Sequence, residues 1–465
     1  MGMVVGLSLL FVPLAEGQQE ETGWSAPEVV ARTSGTLSPM VLVADRAGGL
    51  HMFFSHKPDE ASGVSIDYTS WNGSEWSQPV DVLVTGMADG AALRGAVIDS
   101  RQVVHLLWLD QGRALMHSSA EVARASSPWA WSSPQKVAAG LVSGDISVGP
   151  DDTLYVVYGD PAITDSVSLV ISTDGGGRWL ESQQLASSGS GEVAIGEVSV
   201  AVDDEGRLHT VWAEYALPDG WPPAGVFYAR GSEDAADSPL VLQVAGEGYG
   251  HPGVSTIGEE EVHLVWSSGV GGDGAFHSWS SDGGESWSRP DIYGGGRGLA
   301  GQPSFAVDSA ERLHYVLGHA RYAVWDGGRL SEYQDLRPAE LVAQVEGSNG
   351  ERAELAITSG NRVHVVFESD FDKIWYTSRQ LDVPPLPTEP IAAMVTTAAP
   401  TETPAAPPTT AAGTTPAPTK VAQRSVVESP ARSLPSAAPT AVGVGAATII
   451  VVMVTLFILV RRGRV

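Results

Sequence analysis

The chain has 465 residues, a net charge of −28 and no cysteine, which excludes disulfides and thiolate metal sites. With only four lysines (Lys57, Lys136, Lys373 and Lys420) it lacks the basic surface that sequence-independent nucleic-acid binding needs. Its 53 glycines and 14 tryptophans, with few long amphipathic patterns, describe an all-β protein rich in turns.

In chain order, Met3–Leu14 is an apolar run followed by Ala15-Glu16-Gly17 and the polar pair Gln18-Gln19. This predicts a secretory signal over residues 1–17, with an N-terminal membrane anchor as the alternative. Next comes Trp24-Ser25-Ala26-Pro27, and then a strand that recurs seven times. Its copies are Leu50–Phe54, Val104–Trp108, Leu154–Tyr158, Leu208–Trp212, Val262–Trp266, Leu313–Leu317 and Val363–Phe367. The second residue of each (His51, His105, Tyr155, His209, His263, His314, His364) follows the previous one by 50 to 54 positions. A strand-rich repeat near fifty residues is the pattern of propeller blades.

Several copies end in a strand opening with Trp-Ser-x-Pro: Trp76–Pro79, Trp131–Pro134 and Trp287–Pro290. Proline removes a ladder donor, so this strand belongs on the outer edge of each sheet. The seventh copy lacks it, and Trp24–Pro27 has no inner strands of its own. The two ends therefore predict a seven-bladed β-propeller over residues 23–382, closed by an N-terminal outer strand. A histidine repeated once per blade occupies rotationally separated places and cannot gather several ligands around one ion. It reads as structural, bridging blades, and no metal site is predicted. No cofactor is indicated either, although the acidic composition leaves a structural calcium ion open.

Two turns share the spacing S-x-D-x-G-x-x-W: Ser172, Asp174, Gly176, Trp179 and Ser280, Asp282, Gly284, Trp287. The aspartate can accept bonds from downstream N–H groups, the glycines allow positive φ, and the tryptophan anchors the turn. This pattern resembles the Asp box, or BNR repeat, of the sialidase superfamily of β-propellers. The resemblance implies a structural role for these residues, on the face away from the substrate. Trp71–Trp76 and Trp325–Gly328 read as divergent boxes. Sialidase chemistry itself would use three arginines on the sugar carboxylate, a Tyr nucleophile with a Glu partner, and an Asp acid/base. The sequence has no Arg-Ile-Pro, and its seven copies differ from the six blades of that family.

On the opposite face, loops leading into the inner strands carry Arg32, Arg94, Arg297 and Arg352, assigned to blades 1, 2, 6 and 7. Further ligand-binding candidates are Tyr249 and His251 in the fifth such loop, Glu214, and Trp221 as a sugar-stacking ring. A pairing of Tyr249 with Glu214 or Glu247 would supply a Tyr–Glu couple. Catalytic residues are not otherwise assigned.

Residues 383–440, rich in Pro, Thr and Ala, read as a disordered stalk. Val442–Val460 has no charge and predicts one transmembrane helix, and the basic tail 461–465 would lie in the cytoplasm, leaving the propeller outside the cell. Leu434-Pro435-Ser436-Ala437 leaves processing by a sortase-like enzyme as an alternative. The expectation is a cell-surface, membrane-anchored propeller binding a glycan or another extracellular macromolecule. An exo-acting glycoside hydrolase of sialidase type and a purely structural surface protein are the alternatives.

Overall fold

Short apolar runs, broken every few residues by Gly, Asp or Asn turns, fold the body into seven four-stranded antiparallel sheets. The computed structural model describes residues 23–32, 39–56, 63–85, 93–110, 114–139, 143–160, 165–188, 191–217, 222–231, 240–268, 274–293, 301–342, 352–369 and 372–385. The inner strands are Met40–Ala44, Leu93–Ile98, Gly144–Val148, Val193–Val202, Tyr249–Ile257, Ser304–Val307 and Ala353–Thr358, one for each of blades 1 to 7. Each inner strand contacts that of the next blade, and the seventh returns to the first, closing a ring around a central channel.

The recurring second strand is buried on both sides, because each sheet packs between two others. That is why it reads as a nearly continuous apolar run. Leu50, Met52, Phe53 and Phe54 are all buried. Phe53 and Tyr68 of blade 1 pack with Leu93, Leu106 and Trp108 of blade 2, and Val211 and Tyr228 of blade 4 pack with Val254, Leu264 and Trp266 of blade 5.

The repeat histidines are buried and tie strands within their own blade. His209 bonds Tyr228 Oη through Nδ1 (2.8 Å) and faces Asp203, at the end of the inner strand, through Nε2 (3.3 Å). Asp45–His51–Tyr68 and Asp308–His314–Tyr322 repeat the arrangement. In blade 2 His117 replaces the tyrosine, lying 3.0 Å from His105.

The link between blades comes from tryptophans. Trp287 stacks edge-on against Tyr228 of the preceding blade (4.9 Å), Trp179 against His117 (5.3 Å), Trp76 against Tyr376 (5.3 Å) and Trp24 against Tyr322 (4.9 Å). The Asp boxes themselves are tight turns. Asp282 Oδ1 accepts bonds from Ser280 Oγ (2.7 Å) and from the N–H of Ser286 (2.8 Å), and Ser280 Oγ accepts that of Gly284 (2.8 Å). Asp174 Oδ1 accepts Ser172 Oγ (2.9 Å) and the N–H of Arg178 (2.8 Å). Asn72 plays the aspartate's part in blade 1, accepting the N–H groups of Ser74 and Glu75.

The N-terminal strand, Glu28–Arg32, pairs antiparallel with Lys373–Gln380 as the outer strand of blade 7. Its closure bonds copy those of the other blades. Ser25 N–H donates to Ser378 O at 2.8 Å, as Ser77 does to Ser70 and Ser288 to Trp279. Thr377 Oγ1 donates to Ser25 O at 2.7 Å, as Thr69 does to Ser77.

Trp24 bridges Arg379 at the Asp-box end of this pair. On the same face, Leu381 N–H bonds Asn361 O, and the side chains of Asn361 and Ser309 bond Pro384 O. The chain thus enters and leaves the ring on the Asp-box face. The predicted signal, almost all of the stalk and the span Val442–Val460 lie outside the described residues. Among the described residues no helix is long and apolar enough to cross a membrane.

Candidate functional site

All seven inner strands run the same way along the channel, so their first residues meet at the end opposite the Asp boxes. A cavity of about 360 Å³ runs down the axis, lined by every blade and including Arg94, Asp145, Ser199, Gln302, Ser304 and Glu354. Three inner strands carry a β-bulge near this end. One extra residue lies between Leu93 and Gly95, one between Ile195 and Val198, and one between Gly250 and Gly253. The polar side chains on these bulges are Arg94, Glu197 and His251, the last followed by Pro252. A bulge breaks the alternation of the strand and re-aims a side chain. His251 does so with a left-handed backbone, φ 52°.

Glu197 and His251, from adjacent blades, form an ion pair (Oε1 to Nδ1, 3.2 Å). The other oxygen of Glu197 accepts the Tyr215 hydroxyl at 2.7 Å. Tyr215 lies against Gly196, where a Cβ would fall 2.0 Å from its ring, and its hydroxyl is close to Gly250. The two glycines form its cradle. Gln302 reaches from blade 6 to Val198 O of blade 4 (3.1 Å), and Pro303 fills the space that a side chain at Gly253 would occupy.

Burial alone would raise Glu197, but the bond and the charge of His251, then Tyr215, hold it at about 2. Burial alone would lower His251, but Glu197 overcomes it and holds the imidazole up, against a smaller opposing effect of Arg352. Burial, then the negative charge of Glu197, pushes the Tyr215 phenol well up. The shifts thus favour imidazolium for His251, carboxylate for Glu197 and neutral phenol for Tyr215. Deeper in the channel, burial raises Asp145 to about 6, although the N–H groups of Val200 and Ile146 favour its charged form. Burial, with a contribution from Asp145, raises Glu354 to about 7, against Ser304 and Arg352.

Of the predicted arginines, Arg94 lines the cavity, and Arg352, exposed, lies near enough to act on both Glu354 and His251. Arg32 requires a correction. It ends the outer strand of blade 7 instead of leading into blade 1, and it pairs with Asp372 at 3.1 Å in solvent. The reason is the closure itself, which draws the residues just after Trp24–Pro27 into the seventh sheet. The expected Tyr–Glu couple also changes. Tyr249 stacks edge-on against Phe276 (5.2 Å), and Glu214 is buried, accepting Trp212 Nε1 at 3.2 Å. Arg297 and Trp221 lie outside the described residues. Among the described residues no group of three or more His, Asp or Glu side chains is placed to hold a metal ion.

Sequence reasoning missed Glu197 and the two acids Asp145 and Glu354, while Tyr215 stood beside Glu214 among the loop candidates. A signal existed for the acids. In each copy the inner-strand residue two before the partner of the repeat histidine is Val41, Gly95, Asp145, Ser199, Gly253, Ser304 or Glu354. Aligning the copies exposes two acids in a position otherwise small or apolar.

No protein-family model matches the sequence, and no curated protein matches it. Solved structures do. A lectin from Burkholderia pseudomallei, BP39L, aligns over 75% of this chain and 96% of its own, with 12% identity and a TM-score of 0.51. The shared feature is the β-propeller fold. The NanB sialidase of Streptococcus pneumoniae is similar over 77% of this chain and 71% of its own (10% identity, TM-score 0.42). A polysaccharide lyase described as an ulvan lyase is similar over 76% and 94% (11% identity, TM-score 0.48). At such identities the likeness concerns the fold alone.

Proposed function

We propose that this protein is a cell-surface carbohydrate-binding propeller that takes an acidic saccharide at the channel end bearing Arg94, Arg352 and His251. What carries the reading is convergence. Side chains on bulges of blades 2 and 5 and a residue leading into blade 7 bring three cationic groups to one end of one channel. On a chain of net charge −28 a distant anion is not attracted, so binding requires short charge-assisted bonds. The lectin likeness agrees with this use of the fold.

Residues 1–17 are proposed as the secretory signal, 383–440 as a stalk, 442–460 as the membrane anchor and 461–465 as its cytoplasmic tail.

The test is binding of galacturonate, N-acetylneuraminate and galactose to the full chain by calorimetry. Each charge-assisted bond contributes roughly 1.5–3 kcal/mol, so Arg352→Ala should weaken the acidic sugars at least ~10-fold and leave thermal stability nearly unchanged. Lysine would not restore the two-toothed contact. Equal binding of all three sugars by wild type and variant would overturn the reading.

A second reading, an exo-acting glycoside hydrolase of sialidase type, is favoured by the Tyr215 hydroxyl on Glu197. A carboxylate already neutralised by His251 is a weak base for that phenol. Turnover of a sialoside by wild type that disappears in Tyr215→Phe would establish the hydrolase.

A further inference from the structure

Asp145 and Glu354 occupy the same position of their repeats, and hence one level of the channel. They come from blades 3 and 7, three blades apart one way around the ring and four the other, and so face each other across the axis. Neither is free to swing out. The Asp145 oxygens accept the N–H groups of Ile146 (2.8 Å) and Val200 (3.0 Å), the second from the neighbouring blade. Gly95 lies against it so closely that a Cβ would come within 3.3 Å of Oδ1. Glu354 is held by Ser304.

We propose that Asp145 and Glu354 take up one proton between them near neutral pH, and that this proton sets the charge of the channel, so that an anionic saccharide binds together with a proton. The ligand half rests on the saccharide reading above. The charge pattern around the pair follows from each element that meets it. Blade 1 contributes only Val41 and blade 2 Arg94. Blade 4 contributes Ser199, with Glu197 above it. Blade 5 contributes Ser255 and Thr256, with the protonated His251 above, blade 6 Gln302 and Ser304, and blade 7 Arg352 next to Glu354.

Three cationic groups and the Glu197 carboxylate therefore stand over a pair that carries two negative charges when empty of protons and one when it holds a proton. Burial of both groups, with the charge of Asp145 acting on Glu354, favours the bound proton. Removing one negative charge leaves the cations less compensated, so anion affinity rises as pH falls. If one full proton is taken up, affinity changes at most about tenfold per pH unit.

The test has two arms on the full chain. In the first, infrared difference spectra of the ligand-free protein follow the protonated-carboxyl band between about pH 5 and pH 8. A band titrating between about pH 6 and 7, and reduced in both Glu354→Gln and Asp145→Asn, is expected. The second measures galacturonate and galactose by calorimetry at about pH 6 and pH 8 in two buffers of different ionisation enthalpy. Galacturonate should bind several-fold more tightly at the lower pH with net proton uptake, galactose should not change, and Glu354→Gln should abolish the uptake. Wild-type carboxyl groups already ionised by about pH 5 would overturn the proposal even if galacturonate binds. Equally, galacturonate binding without proton uptake would overturn its ligand half. If neither sugar binds while the band still titrates, the saccharide reading fails and the proton pair stands.

Discussion

Gly284→Ala probes what an Asp box does for its neighbour. Gly284 has φ +88°, and a Cβ there would sit 2.1 Å from Tyr228 Oη and 2.9 Å from Cζ. That ring belongs to the preceding blade and is fixed by His209 at 2.8 Å and by Trp287 edge-on at 4.9 Å. The substitution carries about 1–2 kcal/mol for a left-handed alanine, about 1–3 for overpacking against a buried ring, and about 1 for the strained Tyr228–His209 bond. The expected loss is therefore roughly 3–6 kcal/mol. Gly283→Ala is the control next door. Its φ is +65°, but its Cβ would meet only the flexible guanidinium of Arg207 at 3.4 Å, so the backbone cost of about 1–2 kcal/mol stands alone. Urea unfolding followed by tryptophan fluorescence gives both values. Adding Tyr228→Phe should recover part of the Gly284→Ala loss, since the hydroxyl is the nearest atom, and the cycle isolates the contact. Equal losses for the two alanines would refute the view that the box is a staple between blades.

Deleting residues 23–30 removes the closing strand and Trp24, leaving Lys373–Gln380 as an open edge, so the protein should aggregate or lose cooperative unfolding; an unchanged melting temperature would exclude closure. His117, His277 and His364 are held at about 3, chiefly by burial, so the unfolded chain binds more protons between about pH 6.5 and 3. Their contribution to stability is thus lost as pH falls through that window, while Asp145 and Glu354 act in the opposite sense between about pH 7 and 4; urea midpoints should fall less steeply with pH in His277→Gln than in wild type. Gly196→Ala should push Tyr215 off Glu197 and raise the Glu197 pKa, detectable by NMR titration of its carboxyl, and an unmoved titration would show that the cradle is not needed.

The architecture was legible because its causes repeat. One strand recurs at every blade, the Trp-Ser-x-Pro strand marks the outer edge, and the copy stranded at the N-terminus predicts the closure that Ser25 and Ser378 make. The Asp-box residues were legible for the same reason, since Asp174 and Asp282 do their work within eight residues of chain. Arg32 was misassigned because closure outweighed its position in the sequence. The structure does pair a tyrosine with a glutamate, but the two are Tyr215 and Glu197. Glu197 faces Tyr215 only because a bulge adds a residue to the inner strand of blade 4, and no local signal distinguishes that residue from ordinary alternation.

The two faces of the ring divide the work by how faithfully they repeat. On the Asp-box face the same contact, a tryptophan edge against the previous blade's ring, recurs in blades 1, 3, 5 and 7, and a repeated contact can only stabilise. Recognition of one ligand on the channel axis requires that the seven blades differ. They differ at the opposite end, where bulges interrupt the inner strands of blades 2, 4 and 5 and where two of seven equivalent positions are acids. A half-buried ion pair such as Glu197–His251 is weak evidence for stability, because desolvation offsets much of the attraction. Its bulged backbone, including the left-handed His251, adds a further cost. A fold held together by its repeats can carry such a departure, and the departures collect at one end of one channel. That concentration is the physical reason to look for the ligand there.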